Sequence, residues 1–310
     1  MKQRKVMKVL CGMTVLLLSC NGNAPKEKNS GADLQQSHRL EIPQPPVMLP
    51  DSEKISYMAA HYWDAFDFAD TTWIADTASL EQAFSGWVYI LGNMPLSRAV
   101  QYSGEPVRKA ENHPAMLLHL AGIAEHYFAD PNSPFRSEEL YIPVLEAVLA
   151  SQSVDTIYKI RPRARLEAAL KNRPGMVAAD FGYVTASGRK GRLSQMKGEY
   201  VLLMFYNPGC ADCRRVEEYI KVSEVFAPLI ASGRLAVLAV YPDKDLDLWR
   251  EHLPEMPEKW TVGYDAGQTV TEKELYDLPA IPNLYLLDGQ KKVLLKDAPV
   301  EQIEAYLYSR

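Results

Sequence analysis

The stretch Val201-Leu202-Leu203-Met204-Phe205-Tyr206-Asn207-Pro208-Gly209-Cys210-Ala211-Asp212-Cys213 decides how this chain folds. Its first six residues are apolar or aromatic without polar alternation, the pattern of a strand buried on both faces. Asn207-Pro208-Gly209 then ends the run with turn formers. A helix is expected over 210–229, which puts Cys210 at a helix N-terminus. Unpaired N–H groups and the positive end of the helix dipole favour thiolate there, and thiolate is the nucleophile of disulfide exchange. The spacing of Cys210 and Cys213 sets both sulfurs on one face of the first turn, close enough to form a disulfide.

Outward from this stretch, short β-rich runs alternate with helical ones from residue 174 onward, which predicts an α/β sheet. Strands are expected at 181–184, 200–206, 235–240, Thr261–Tyr264, 283–287 and 292–295, the last two joined by the tight-turn dipeptide Asp288-Gly289. The remaining helices are expected at 246–253, 270–276 and Val300–Tyr308. Before residue 172 the pattern is helical. Behind a cap at Asp51 or Ser52, Ile55, Met58, Ala59, Tyr62 and Phe66 recur at helical spacing, and similar patterns follow at 80–91, 116–128 and 140–149. Pro95, Pro114, Asp130-Pro131 and Pro134 separate them. The reading is a small all-α domain at 51–172, then an α/β domain at 174–310, which suits a mature chain of about 290 residues.

At the N-terminus, Lys2, Arg4, Lys5 and Lys8 precede an uncharged apolar run too short to span a bilayer, so residues 1–19 read as an export signal. Leu17-Leu18-Ser19-Cys20 resembles the lipobox of bacterial lipoproteins, which implies cleavage before Cys20 and lipid on that cysteine. The implied product is a membrane-anchored lipoprotein with its folded part in the periplasm. Residues 20–50, with Pro25, Pro43, Pro45, Pro46 and Pro50, read as a tether with a reach of about 30 Å. Of the four cysteines, Cys11 leaves with the signal and Cys20 is lipidated, leaving Cys210 and Cys213. In an exporting compartment such a lone pair reads as a redox couple. The net charge of −5 becomes more negative once the leader's cations are removed, and nucleic acid is not an expected partner.

Strand, Cys-X-X-Cys, helix and, later, Leu278-Pro279-Ala280-Ile281-Pro282 before the strand at 283–287 together resemble the thioredoxin-like superfamily. The likeness covers 174–310. It is greatest to periplasmic membrane-anchored thiol–disulfide reductases and alkyl-hydroperoxide-reductase-like domains. The resemblance implies an α/β thioredoxin-like fold, a mixed sheet flanked by helices. It further implies a cis bond at Ile281-Pro282 beside the cysteines, docking of a partner's chain on the Ile281 backbone, attack by Cys210 and resolution by Cys213. No cofactor is implied. The implied partners are exported proteins with disulfides, apocytochromes c among them, and an inner-membrane thiol that donates electrons. Two positions depart from the family pattern. Gly209 replaces the usual tryptophan, and Met204 stands where thioredoxin itself has a buried acid, so the proton acceptor for resolution has no familiar candidate. Pro208 and Asp212 are expected to tune the couple. The Asp212 carboxylate disfavours thiolate and should make it more reducing, with Arg214 and Arg215 opposing.

Other chemistries fit less well. A zinc site needs two more ligands, and His252 is the sole histidine after residue 174. The peroxidatic pattern of Thr or Ser three residues before the cysteine is absent, since Asn207 and Cys210 stand there. His119 and His126 lie about 10 Å apart along a helix, too far to share one metal. Trp63, Trp73 and Trp87, with Tyr57, Tyr62 and Tyr89, read as core and boundary packing rather than a ligand platform. The rival from another class is a binding or scaffold lipoprotein whose Cys-X-X-Cys is regulatory or idle.

Overall fold

The apolar run from Val201 lies in the interior of a seven-stranded sheet in the computed structural model, which describes residues 38–310. The export signal, Cys20 and the tether up to residue 37 lie outside the described residues. The strands are β1 (Gly182–Thr185), β2 (Lys190–Arg192), β3 (Tyr200–Phe205), β4 (Leu235–Tyr241), β5 (Thr261–Tyr264), β6 (Asn283–Asp288) and β7 (Val293–Lys296). Their order across the sheet is β2-β1-β5-β4-β3-β6-β7. β3, β4 and β5 run parallel, and the strands on either side pair antiparallel.

Alternation along β3 supplies both layers of the core. Leu202 and Met204 point into one layer with Cys213, Val216, Ile220 and Ile303. Val201, Leu203 and Phe205 point into the other with Phe181, Val270 and Tyr276. Each such side chain contributes about 1.5–3 kcal/mol on full burial. Helices Ala211–Val222 and Val300–Tyr308 cover the first face.

Residues 51–169 are helical, around a separate core that includes Trp63, Phe84, Trp87 and Leu120. The tryptophans pack edge to face, with the Trp63 and Trp87 centroids 5.9 Å apart. This helical part is fastened to the sheet by buried charges. Lys296, at the end of β7, pairs with Glu138 at 2.6 Å and donates to the carbonyls of Ala169 and Lys171. Arg136 pairs with Asp297. Arg173, part-exposed in the connection beyond the last helix, holds that connection to Glu139 of the helical part through two hydrogen bonds of 2.9 and 2.6 Å. Removing one member of a buried pair is costly because the other charge stays desolvated.

Several expectations are corrected. Within the stretch expected as tether, residues 38–40 are packed on the folded body. The His38 N–H donates to Asp76 at 3.0 Å, its ring stacks on Trp73, and Leu40 packs on the helical core. The first helix stops at His61. Tyr62, Trp63 and Phe66 keep helical spacing but reach the core through turns. The helix expected over 210–229 breaks at Ser223, whose hydroxyl accepts from the Phe226 N–H at 3.0 Å and starts a second helix, Phe226–Ala231. Between β6 and β7 the left-handed residue is Lys291 (φ 67°), not Gly289. There the Asp288 carboxylate holds the N–H groups of Gln290 and Lys292 and widens the turn. β2 lacks apolar residues and carries no sequence signal. Among the described residues no helix is long and apolar enough to cross a membrane.

Candidate active site

Strand register assembles the site. Phe205, the last residue of β3, pairs with Asn283, the first of β6, so the segments beyond each end, 206–210 and 279–282, lie side by side. The Ile281-Pro282 peptide is cis. Gly209 takes φ +77°, a conformation that strains other residues, which accounts for glycine at this step of the turn.

Cys210 is the N-cap of helix Ala211–Val222, and its Sγ accepts the Cys213 N–H at 3.3 Å. That sulfur also lies 3.7 Å from the Ile281 carbonyl. Both cysteines are free thiols. They differ in access, since Cys210 is half-buried whereas Cys213 is 1 % exposed. Burial, reinforced by the neighbouring Cys210 sulfur, pushes the Cys213 thiol well above its ordinary range. It therefore stays protonated unless a base removes its proton.

Sequence reasoning left that base unnamed, and the fold supplies a candidate in Glu217. This glutamate lies one helical turn beyond Cys213 and is 2 % exposed, and its charge adds to the burial that opposes ionisation of the Cys213 thiol. Desolvation raises its pKa, with His252 and Lys221 pulling the other way. Its Oε1 has no hydrogen-bond partner among the described residues. His252 Nε2 is 3.8 Å from that atom, and His252 Nδ1 is 3.3 Å from the exposed Glu255. The signal was present, because Cys213, Glu217 and Ile220 fall at i, i+4 and i+7, placing an acid on the buried stripe of the helix. Tyr206 also sits here and accepts from Trp249 Nε1 at 2.9 Å, but burial raises its phenol and keeps it protonated. Met204 packs in the same layer as Cys213.

Asp212 is largely exposed and lies 3.5 Å from Arg215. Solvent screening and that cation reduce the field it exerts on the cysteines. Pro208 is buried beneath the turn. His126 is exposed and faces Asp130 at 3.7 Å. No cluster of three metal-ligating side chains occurs among the described residues.

Residues 19–172 match the family described as Domain of unknown function (DUF5106). The curated relative nucleoredoxin of Bos taurus is 26% identical over 121 residues, and this chain spans 26% of its length. Thiol-disulfide oxidoreductase ResA of Bacillus anthracis is 25% identical over 140 residues, covering 44% of this chain and 78% of ResA. The crystal structure of a thioredoxin-like protein from Bacteroides caccae is 43% identical with a TM-score of 0.85. That match covers 87% of this chain and 98% of the other, so it takes in the helical part as well as the sheet. With likeness of that extent joined to a dithiol at a helix start beside the Ile281-Pro282 turn, the chain belongs to the thioredoxin-like proteins.

Proposed function

We propose that this protein is a thiol–disulfide oxidoreductase that reduces disulfides of exported proteins, with Cys210 as the attacking and Cys213 as the resolving thiol. The observation that carries the reading is the asymmetry of the pair. Cys210 is reachable and its sulfur faces a helix-start N–H, an arrangement that stabilises negative charge there, while Cys213 is sealed behind it.

In the forward direction the Cys210 thiolate attacks one sulfur of the partner's disulfide. That bond breaks, the other partner sulfur leaves as a thiolate and takes up a proton, and a mixed disulfide joins Cys210 to the partner. Cys213 then gives its proton to Glu217 and attacks Cys210 Sγ. The reduced partner departs, and two electrons have passed from the dithiol to the substrate. His252, between Glu217 and the exposed Glu255, offers that proton a way towards solvent. The resemblance supplies the rest of the cycle. An inner-membrane thiol would reduce the Cys210–Cys213 disulfide, and lipid on Cys20 would hold the protein at the membrane.

The protein should accelerate reduction of insulin disulfides by dithiothreitol. In native buffer iodoacetamide should modify Cys210 first and Cys213 only on unfolding, as followed by mass spectrometry. Absence of acceleration would contradict the activity, and equal alkylation rates would contradict the assignment of roles.

A further inference from the structure

A cavity of about 560 Å³ opens beside Asp212, Ile281 and Pro282 and runs between the sheet part and the helical part. Its near end lies next to the reacting thiol, because Ile281, which lines it, has its carbonyl 3.7 Å from Cys210 Sγ. One wall is formed by Leu294, Pro299 and Val300, and the opposite wall by Leu96, Pro131 and Pro134 of the helical part. This second wall is fixed in place. Arg136 pairs with Asp297, and Asp297 in turn accepts from the Asn283 side-chain amide at 2.6 Å. Asn283 directly follows Pro282, so one chain of polar contacts ties the helical part to the turn that faces the thiol.

The charges around the cavity are already engaged with one another. Arg136 meets Asp297, Lys296 meets Glu138, Glu139 meets Arg173 and Asp212 meets Arg215. Of the charged side chains that line it, Glu301 has no ion partner among the described residues. An anionic occupant would lose hydration without gaining a counter-ion, and a cationic one would meet only the solvent-exposed Glu301, whose screened charge repays little of that loss. The N–H groups of Ala280 and Ile281 make no hydrogen bond to other described residues, so they are available to an extended main chain. The volume lies within the usual range for ligand sites.

We propose that Leu96 and residues 131–139 form the second wall of the substrate groove, and that the groove takes an uncharged, extended segment of the protein whose disulfide is exchanged. This rests on the thiol–disulfide reading above and adds to it the chemistry of the substrate and a role for the helical part.

The test uses the full chain and three probes. Two are disulfide-linked peptides whose cysteine is flanked either by alanine, serine and leucine or by the same residues with lysines added. The third is 2-hydroxyethyl disulfide, which is too small to reach the far wall. The substitution is Leu96→Glu. Leu96 is 49 % exposed and begins a helix, where an acid is compatible with folding. Expected is a rise of about tenfold in KM for the uncharged peptide, a relative gain for the lysine peptide, and an unchanged rate with 2-hydroxyethyl disulfide. The exposed Gln302→Glu, on the sheet side of the groove, should repeat the pattern. If KM for both peptides is unmoved in both variants while all probes are turned over, the groove proposal is overturned and the exchange reading stands. If the wild type reduces none of the three probes, the exchange reading itself fails and the groove proposal falls with it.

Discussion

Cys210→Ser is expected to return insulin reduction to the uncatalysed background while leaving the melting temperature unchanged. The two halves of that expectation have separate causes. Serine is among the preferred N-cap residues, and its hydroxyl can accept the Cys213 N–H as the sulfur does, so helix Ala211–Val222 keeps its start. The chemistry cannot survive, because a hydroxyl is not a nucleophile toward disulfides at neutral pH and Cys213 is too buried to take over the attack. A variant with residual turnover would mean that Cys213 can meet substrate directly, contrary to the asymmetry on which the proposal rests.

Glu217→Gln is expected to slow the resolving step by about 10²–10⁴-fold, the usual contribution of a positioned base, while attack by Cys210 stays near the wild-type rate. The mixed disulfide should therefore accumulate with both cysteines intact, visible by rapid acid quench and mass spectrometry. Slowing of both steps together would indicate a general loss of structure instead. The same substitution carries a stability signature. Desolvation raises the Glu217 pKa in the folded state. Between the ordinary carboxyl range and that raised value the folded protein holds a proton that the unfolded chain has released. Stability therefore falls as pH rises through this window. Glutamine has no such titration, so the variant's urea midpoint should exceed that of the wild type above the window and approach it below. A wild type whose midpoint rises relative to the variant across that window would contradict the burial-driven shift.

The parts legible in the sequence were those written in local pattern. The run from Val201 to Tyr206 announced a buried strand, Pro208-Gly209 its end, and Cys210 the start of a helix. Thr261–Tyr264 and Val300–Tyr308 lie where periodicity put them. What escaped was set by contacts between distant residues. β2 is polar and exists because β1 pairs with it in a hairpin turned by Gly188 at φ +80°. Arg136 and Asp297 lie 161 residues apart, and no pattern links them. His38 belongs to the folded body because Asp76 is there to receive it, not because of anything adjacent in the chain. Glu217 was different. Its spacing from Cys213 is readable, but the buried acid of thioredoxin stands in the strand, at the position Met204 holds, whereas here the buried acid stands on the helix.

In the proposed cycle Cys210 forms a transient covalent bond with an exported protein substrate, and Cys213 resolves it. Expression of the full chain with Cys213→Ser, followed by acid trapping and non-reducing electrophoresis, tests this most directly. Expected are higher-mass species that vanish on reduction, are linked through Cys210, and are absent from the Cys210→Ser/Cys213→Ser double variant. A folded and exported Cys213→Ser protein that runs only at its own mass would contradict the cycle.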